Sequence, residues 1–513
     1  MHLFHRCQRR PQAKDTPTLI VHTSSTASPY RITGFASNAP LPPLPTMTSS
    51  QIGPRSNLIE DAAEKYNFFD FTVKEGVSPS GQFQPIIMGV DASIWMYQAE
   101  RALNYGNTQA GPNPELRILY NRLASLLELP LRIVFVFDGP MRPDVKRGTR
   151  VLTHGHPLTA QFQELISHFG YHSHTAPGEA DAELGRLASE SLIDIVQTTD
   201  SDIFLFGAPR VIYTPKKKYN GNNVTLYTTE KMFITPDVSL TRGGILLIAL
   251  LSGGDYDKGL LGCGIATAHA IAQGNLGDLL LDKALESPTP DSCLFGTIAT
   301  AIAKTPSFPD IGVIFAYVHP ITSWTNYSLP PYYTWGPARP NLTAIARFCQ
   351  RQFAWNAATL ANKFSKGLFF GIALQSFLKP YNLHALVEAH INAGRGLNDD
   401  FHCLDDDFPR SAVLEVLNTK SVNNQSLKQV QMSTNALSLR VKAGITDGSG
   451  FSPPTLMVKW IPAPIIDFAF PDLVSRQSPG SAKHKTTAPR SKRPHSKPHT
   501  RAPVAGPSRI SGV

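Results

Sequence analysis

The chain has 513 residues, of which 42% are hydrophobic, and it carries 48 Lys and Arg against 39 Asp and Glu. This length and hydrophobic content predict two or three domains with a buried core in at least part of the chain, which excludes a wholly disordered protein. Nine of the basic residues lie after residue 474, where there is no acid, so the net charge of +9 belongs to the tail and the body is neutral.

The hydrophobic runs and the cysteines exclude further classes. The longest apolar runs, such as residues 245–251 and 368–378, are far shorter than the roughly 20 residues that a transmembrane helix needs. The five cysteines are scattered, with no C-x-x-C pair, and fit neither a disulfide framework nor a zinc site. We therefore expect a soluble protein in a reducing compartment.

Residues 1–50 are basic, nearly free of acids and rich in Ser, Thr and Pro. This composition predicts a disordered N-terminal extension. A mitochondrial transit peptide is an alternative, although the residues before Pro11 offer little amphipathic helix. A translation start at Met47 is a second alternative.

The first two strongly apolar segments each end in an Asp. Residues 84–91 (QPIIMGVD) end at Asp91 and precede a helical pattern that includes Tyr97 and Gln98, and residues 133–138 (IVFVFD) end at Asp138. Strands that are apolar on both faces suit the middle of a parallel sheet covered by helices. We therefore predict two parallel strands with an acid at the C-terminal end of each.

Residues 143–174 are polar and rich in Lys, Arg and His, and Lys146, Arg147 and Arg150 come directly after the second acidic strand end. A solvated surface excursion and a phosphate-binding segment both fit this composition. The position beside the acids favours the second, because a polyanionic substrate must bring its phosphates to the carboxylates.

The stretch 176–207 (APGEADAELGRLASESLIDIVQTTDSDIFLFG) contains two pairs of acids, Glu179 with Asp181 and Asp200 with Asp202. The apolar spacing predicts a helix that begins after residue 178, then a strand over 193–198. Crowded like charges raise one another's pKa, so ionised pairs need a cation, usually a hard divalent metal. One such pair is weak evidence, because Asp is common in turns and caps.

Three separate strands thus deliver acids at their C-terminal ends. In a right-handed doubly wound sheet these ends lie along one edge, where such sheets bind their ligands. The sequence therefore predicts an α/β protein with a mostly parallel central sheet flanked by helices, and a site for divalent ions at that edge.

An apolar helix from residue 245 leads into Gly253-Gly254-Asp255, and the turn Gly262-Cys263-Gly264 then precedes the small-residue segment ATAHAIAQ. Such a turn resembles the second half of a helix-hairpin-helix, whose exposed backbone N–H groups bind a phosphate without reading sequence. Asp255 is a seventh acid if it points to the same edge.

The C-terminal part is predicted to contain strands and a basic tail. The stretches LSLRVKAG (437–444) and PTLMVKWIPAPII (454–466) alternate as strands do, after an acidic, loop-like segment at 398–409. Residues 475–513 are expected to be disordered and to act as a nuclear localisation signal, as a nonspecific DNA tether, or as both.

In order and context the acids resemble the flap-endonuclease/XPG superfamily of structure-specific nucleases. The matching segments cover about residues 85–275: VDASIWMYQA from 90, VFDGPMRPDVKRG from 136, APGEADAE from 176, TTDSDIFLFGA from 198 and LSGGDYDKGLLGCG from 251. Within the superfamily the chain is most similar to the eukaryotic Holliday-junction resolvases, especially fungal ones. That closer similarity rests on FDGPMRPDVKRG, a short cap, FPDIGVIFAYVHPITS at 308–323 and PNLTAIARFCQRQFAWN at 340–356.

The resemblance implies a PIN-like 5′-nuclease core in two parts, 51–210 with a cap at about 144–175, and 211–380 with a helix-hairpin-helix at about 255–275. Residues 400–474 faintly resemble the chromodomain-like module that follows the core in junction resolvases. A small β domain with another role is the alternative there.

The resemblance also implies site residues and ions. Two divalent ions, Mg2+ or possible Mn2+, are expected on seven acids: Asp91, Asp138, Glu179, Asp181, Asp200, Asp202 and Asp255. Two such ions activate a water for in-line attack and stabilise the leaving oxygen. Lys146, with Arg147 or Arg150, matches the residues that contact the scissile phosphate, and Gly262 and Gly264 match the turn that holds uncut duplex, often with K+.

We therefore expect a nuclear, Mg-dependent endodeoxyribonuclease that cuts four-way junctions or 5′ flaps and dimerises on four-way junctions. The chain departs from the family in two places: an extension replaces its short Met-Gly start and aromatic helix, and Asp181 stands where members usually carry Glu. The alternatives are a replication-type flap endonuclease, although we find no clamp-binding motif near the C-terminus, and a junction-binding protein that has lost catalysis.

Overall fold

The computed structural model describes residues 58–473, apart from 79–82, 104–110, 144, 147–148, 151–154, 215–222, 261, 287–307, 309, 326, 337, 379–407, 423–424 and 472. The termini predicted to be disordered, 1–50 and 475–513, lie outside the described residues, as does most of the acidic segment at 398–409.

A seven-stranded mixed sheet lies at the centre of the structure. The strands in the first half of the chain are β1 (Glu64–Asn67), β2 (Ile87–Asp91), β3 (Arg132–Phe137), the short hairpin β4 (Val145–Lys146) and β5 (Thr149–Arg150), β6 (His172–Thr175), β7 (Ile195–Gln197), β8 (Arg210–Tyr213) and β9 (Asn223–Thr228). The sheet order is β1-β9-β8-β7-β2-β3-β6. Strands β8, β7, β2, β3 and β6 pair in parallel. Near one edge, β9 pairs antiparallel with β8 on one side and with the edge strand β1 on the other.

Helices cover both faces of this sheet. They are α1 (Phe68–Gly76), α2 (Ala92–Leu103), α3 (Pro114–Leu127), α4 (Thr159–His168), α5 (Ala180–Ser189), α6 (Thr229–Ile234), α7 (Arg242–Ser252), α8 (Ile265–Ala272), α9 (Leu276–Glu286), α10 (Ile311–Val318), α11 (Leu342–Phe353), α12 (Ala357–Gly367) and α13 (Phe369–Leu378). Along β3, Ile133 and Phe135 pack into one hydrophobic cluster, with α2, α3 and α4, and Val134 and Val136 into another, with α5 and α7. The α/β prediction is therefore confirmed.

A small antiparallel sheet follows, with β10 (Val413–Val422), β11 (Gln425–Ser433) and β12 (Leu456–Pro462), together with α14 (Asn435–Gly444) and α15 (Ala463–Ala469). The prediction of a β module is confirmed, but one of its predicted strands is wrong and the other is wrong in part. Residues 437–444 are helical, because Leu437 and Val441 are buried one helical turn apart while Leu439 is exposed. Residues 463–466 begin a second helix, and only 456–462 of that predicted segment form a strand.

The described part of the chain contains no helix that is both long and apolar enough to cross a bilayer. Two of the cysteines, Cys263 and Cys349, are described, and both are free thiols.

Candidate active site

The ends of the parallel strands bring acids to one edge of the sheet, as the sequence predicted. Asp91 is the last residue of β2, and Asp138 directly follows β3, which pairs in parallel with β2. Strand β7 pairs with the other side of β2 and ends at Gln197, shorter than the 193–198 predicted. Asp200 then caps a short 3-10 helix, Ser201–Phe204, that contains Asp202.

Each strand-end acid also has a local structural role, which fixes its side chain. Asp91 Oδ1 accepts a hydrogen bond from the backbone N–H of Ile94 at 3.0 Å, in the first turn of α2. Asp200 Oδ1 accepts from the N–H of Asp202 at 2.9 Å. Capping thus orients one oxygen of each carboxylate toward the backbone.

Asp138 holds helix α5 against the end of β3. Its Oδ1 accepts from the N–H of Ala180 at 3.0 Å, and its Oδ2 lies 3.2 Å from Arg142 Nη1. The N–H of Gly139 donates to Gly178 O at 2.7 Å, and a Cβ at Gly139 would lie 1.8 Å from Ala176 O. Only glycine permits this close approach, which brings the first turn of α5 to the acidic edge.

Lys146, on β4, joins two distant acids. Its ammonium forms an ion pair with Glu179 and lies 3.3 Å from Asp255 Oδ2. The hydroxyl of Tyr256 donates a hydrogen bond to Glu179, and the hydroxyl of Tyr317 accepts one from the N–H of Asp255 at 3.0 Å. Asp255 thus lies beside Lys146, close to Glu179.

The pKa of Lys146 reflects this position. Burial alone would lower the pKa of Lys146, but the carboxylates of Glu179 and Asp255 more than offset it, and the pKa is raised. Lys146 therefore carries a positive charge at neutral pH and compensates two of the acids.

Two other acids are crowded rather than compensated. Burial, and then the charges of Asp138 and Asp200, raise the pKa of Asp91 to about 7, against the opposing hydrogen bond from Ile94. Burial, and then the charges of Asp91 and Asp200, raise the pKa of Asp181 well above its usual value, although Lys146 opposes the shift. No group in the described part of the chain donates a hydrogen bond to the buried Oδ1 of Asp181.

The donor set fits a hard divalent cation in its chemistry. Carboxylate oxygens are the ligands that such ions prefer, and a cation would relieve the repulsion that raises these pKa values. Within the described ranges, however, no group of three or more Asp, Glu, His or Cys side chains already stands where it could hold one ion. The acids are assembled at one edge, but they do not form a finished cage.

The remaining predicted residues lie in the cap and in the α7–α8 connection. Arg147 is outside the described residues, and Arg150 is described only as a backbone position of β5. Gly262 has a φ of +85°, which favours glycine, and Gly264 is the residue before α8. Both are exposed, and a Cβ on either would meet nothing within 4 Å.

Sequence reasoning missed several residues that support the acids. Tyr256 and Tyr317 belong to this group, and their partners cannot be read from one sequence because Tyr317 and Asp255 are 62 residues apart. Arg142 could have been found, since it lies four residues after Asp138 and carries the opposite charge. Gln98, on the helix that follows Asp91, is buried and accepts from Arg122 Nη1 at 3.1 Å.

The part of the chain that carries these acids is similar to known proteins. Residues 76–153 match the XPG N-terminal domain, and residues 170–255 match the XPG I-region. DNA repair protein RAD2 of Saccharomyces cerevisiae is 30% identical over 211 residues, which are 39% of this chain and 19% of that protein. DNA excision repair protein ERCC-5 of Mus musculus is 32% identical over 207 residues, 38% of this chain and 17% of that protein. The chain thus spans less than a fifth of the length of these two relatives.

The fold also matches a solved structure. The Holliday junction-resolving enzyme GEN1, in complex with product DNA and a Mg2+ ion, aligns with a TM-score of 0.57 over 83% of this chain and 98% of that chain, at 24% sequence identity. The two chains therefore share a fold. The resemblance to the flap-endonuclease/XPG superfamily is therefore confirmed over residues 76–153 and 170–255.

Proposed function

We propose that this protein is a metal-dependent, structure-selective DNA endonuclease that hydrolyses phosphodiester bonds in branched DNA. The observation that carries the proposal is the meeting of acids from β2, β3, α5 and the end of β7 with Lys146 at one sheet edge. The names of the relatives, two DNA repair proteins and a junction-resolving enzyme bound to product DNA, support DNA as the substrate.

Seven acids would hold two Mg2+ or Mn2+ ions: Asp91, Asp138, Glu179, Asp181, Asp200, Asp202 and Asp255. When bound, such ions supply an activated water and neutralise the charge that develops on the phosphate and the leaving oxygen. The buried, unpartnered Oδ1 of Asp181 and the crowding around Asp91 support this assignment, because both are costly without a cation.

Lys146 would bind the scissile phosphate. Its ammonium is charged, lies between Glu179 and Asp255, and is about one-third exposed, so one side remains open to a ligand. A charged donor to a phosphate oxygen stabilises the pentavalent transition state, in which negative charge increases on the equatorial oxygens. Arg147 and Arg150, one and four residues after Lys146 in the sequence, are proposed to share this role.

Gly262 and Gly264 would hold the uncut duplex at a distance from the acids. The turn is exposed and has no side chain on either glycine, so a phosphate can reach the N–H groups at the start of α8. This contact would be independent of sequence, and a K+ ion is proposed to bind there too.

The proposed substrates are four-way junctions and 5′ flaps, with cleavage in the nucleus and dimerisation on four-way junctions. Labelled flap and junction substrates, incubated with purified protein in Mg2+, test the activity. Specific cuts near the branch point are expected. Intact substrates, under conditions where the protein binds DNA, would contradict the proposal.

A supercoiled plasmid with an extruded cruciform tests the resolvase assignment. A dimer that makes paired cuts converts it directly to linear product, whereas a monomeric flap endonuclease of the replication type leaves nicked circles. Linear product at the earliest times is expected.

A junction-binding protein without catalysis is the second candidate. The observation that favours it is that Lys146 already pairs with two of the acids, and that the described acids do not form a ready metal site. If Asp200→Ala changed neither cleavage nor metal binding, this candidate would be preferred.

A further inference from the structure

We propose that the segment after α10 is a second DNA-contact surface, and that Tyr327 stacks there on an unpaired base of a branched substrate beside the acidic edge. The proposal rests on the proposed function, since it names a further contact for the same substrate. It is independent of the seven acids and of Lys146, none of which lies in this segment.

The segment begins next to the acids. A Cβ on Gly178 would lie 2.7 Å from Ile321 O, and Gly178 directly precedes Glu179. Two residues further along, the N–H of Ser323 donates to Glu183 Oε2 at 2.8 Å, on the first turns of α5. The start of the segment is therefore fixed within about one helical turn of Glu179 and Asp181.

A buried polar network makes this attachment firm. Glu183 Oε1 lies 3.0 Å from His174 Nε2, and Ser323 Oγ lies 3.2 Å from the same nitrogen. Glu183 and Ser323 are fully buried. Buried groups that satisfy one another in this way rigidify the elements they join, here β6, α5 and the segment after α10.

The turn that carries Tyr327 is closed by backbone hydrogen bonds. The N–H of Thr325 donates to Thr322 O at 3.0 Å, and the N–H of Ser328 donates to Ser323 O at 2.9 Å. Further on, the N–H of Gly336 donates to His172 Nε2 at 3.0 Å, so β6 holds the segment at both ends. These hydrogen bonds thus anchor described residues on both sides of Tyr327 to one another and to β6.

The side chain of Tyr327 is almost entirely exposed to solvent, with an exposed fraction of 94%. Its φ is +56°, in the left-handed region that bulky residues rarely adopt. An aromatic residue held in a costly conformation and presented to solvent indicates a role outside the fold.

The chemistry of the surroundings favours nucleic acid as the partner. Residues 311–387 contain no Asp or Glu and six Lys or Arg, whereas residues 1–474 as a whole carry equal numbers of acidic and basic residues. The same segment exposes other apolar side chains, namely Ile321, Leu329, Tyr332 and Tyr333. Aromatic faces stack on bases of any sequence. Branched DNA offers unstacked bases at its branch point, and uninterrupted duplex does not.

Two substitutions at Tyr327 separate the ring from the backbone. Tyr327→Phe keeps the ring, whereas Tyr327→Asn removes it and leaves a residue that accepts left-handed φ more readily. Phe233→Ala is the matched control, since Phe233 is an exposed aromatic residue on α6, after β9 near the opposite edge of the sheet. Thermal unfolding of each full-length variant reports whether the fold is kept.

Affinity for a flap substrate with 2-aminopurine at the branch point is measured by fluorescence in an Asp200→Asn background, so that cleavage does not consume the DNA. Tyr327→Asn is expected to weaken binding about tenfold and to reduce the quenching of 2-aminopurine, as loss of one stacked base does. Tyr327→Phe and Phe233→Ala are expected to stay within about twofold, and linear duplex binding is expected to be unchanged.

Equal affinity and quenching for Tyr327→Asn and its parent would overturn the proposal. So would an equal loss for Tyr327→Asn and Phe233→Ala, or a loss that extends to linear duplex. Cleavage by the protein without substitutions is read in parallel. If that protein cuts branched DNA while Tyr327→Asn binds normally, only this inference fails; if it neither binds nor cuts, the proposed function fails first.

Discussion

Two carboxylates on α5, two residues apart in sequence, occupy opposite environments. Glu183 is fully buried and has a partner for each oxygen, His174 for one and the N–H of Ser323 for the other. Asp181 faces Asp91 and Asp200, and its buried Oδ1 receives no hydrogen bond from the described residues. One carboxylate is therefore arranged for the stability of the fold, and the other is kept at a cost to it.

The difference gives a criterion for a functional acid. A buried carboxylate that the fold satisfies stabilises the protein, whereas one crowded by like charges persists only if something outside the chain compensates it. Single substitutions of Asp181 and of Glu183 should therefore separate an effect on activity from an effect on stability.

The largest expected effect is on cleavage. Asp181→Asn should lower the rate of junction cleavage in Mg2+ by about 1000-fold, because a neutral amide at that position no longer attracts a divalent ion. The same change should leave the metal-free protein equally stable or more stable, since it removes a repelled charge. Single-turnover cleavage and urea unfolding measure the two effects. Reduced stability together with normal cleavage would reverse the roles assigned to the two acids.

The next effect is on stability. Glu183→Ala should lower the free energy of unfolding by about 3 kcal/mol, because it leaves His174 and the N–H of Ser323 without their buried partner. Glu183→Gln, which retains an accepting oxygen, should cost less. Urea unfolding without metal checks this expectation, and a loss under about 0.5 kcal/mol for Glu183→Ala would show that the network is dispensable.

Lys146 tests the part of the edge that is already compensated. Lys146→Met should lower cleavage about 100-fold, because it removes a charged donor to the phosphate and leaves Glu179 and Asp255 without their shared cation. Lys231→Met is the control, since Lys231, on α6, forms an ion pair with Glu64 on the edge strand β1. Equal cleavage by the two variants would remove Lys146 from the site.

The pH dependence of stability reports the crowding around Asp91. Its folded-state pKa of about 7 lies above the ordinary 3.8, so the folded protein holds this proton more tightly than the unfolded chain. The stability contributed by that proton is fully present below about pH 3.8 and is lost as pH rises through about 7, a decrease on the order of 4 kcal/mol. Urea unfolding without divalent ions should show the decrease, and Asp91→Asn should remove it. Stability that is flat from pH 4 to 7 would contradict the crowding.

The sequence predicted the acidic edge because the pattern of each strand is local. Asp91 and Asp138 follow apolar runs whose period and length identify buried strands, and parallel pairing then places their ends together. Contacts between residues that are far apart in the sequence leave no such local pattern. The pairing of Lys146 with Asp255 spans 109 residues, and that of Ser323 with Glu183 spans 140.

The helix α14 shows where local pattern misleads. In LSLRVKAG, apolar residues at every second position satisfy the strand period, but Leu437 and Val441 also satisfy the helical one. Tertiary packing against α11 favours the helix. The hydroxyl of Thr343 on α11 donates to Arg440 O at 2.9 Å. Gly444 lies so close to Thr343 O that a Cβ on it would be 2.3 Å away. A tertiary contact thus overrides the alternation.

The most direct measurement of the central claim is a Mn2+ titration of the unsubstituted protein, Asp181→Asn and Glu183→Gln by isothermal calorimetry. The two substitutions are two residues apart on α5, and each replaces a carboxylate by an amide. We predict two bound ions for the unsubstituted protein and for Glu183→Gln, and fewer or weaker ions for Asp181→Asn. The same number and affinity in all three proteins, or no binding by the unsubstituted protein, would contradict the assignment of this edge as a divalent-metal site.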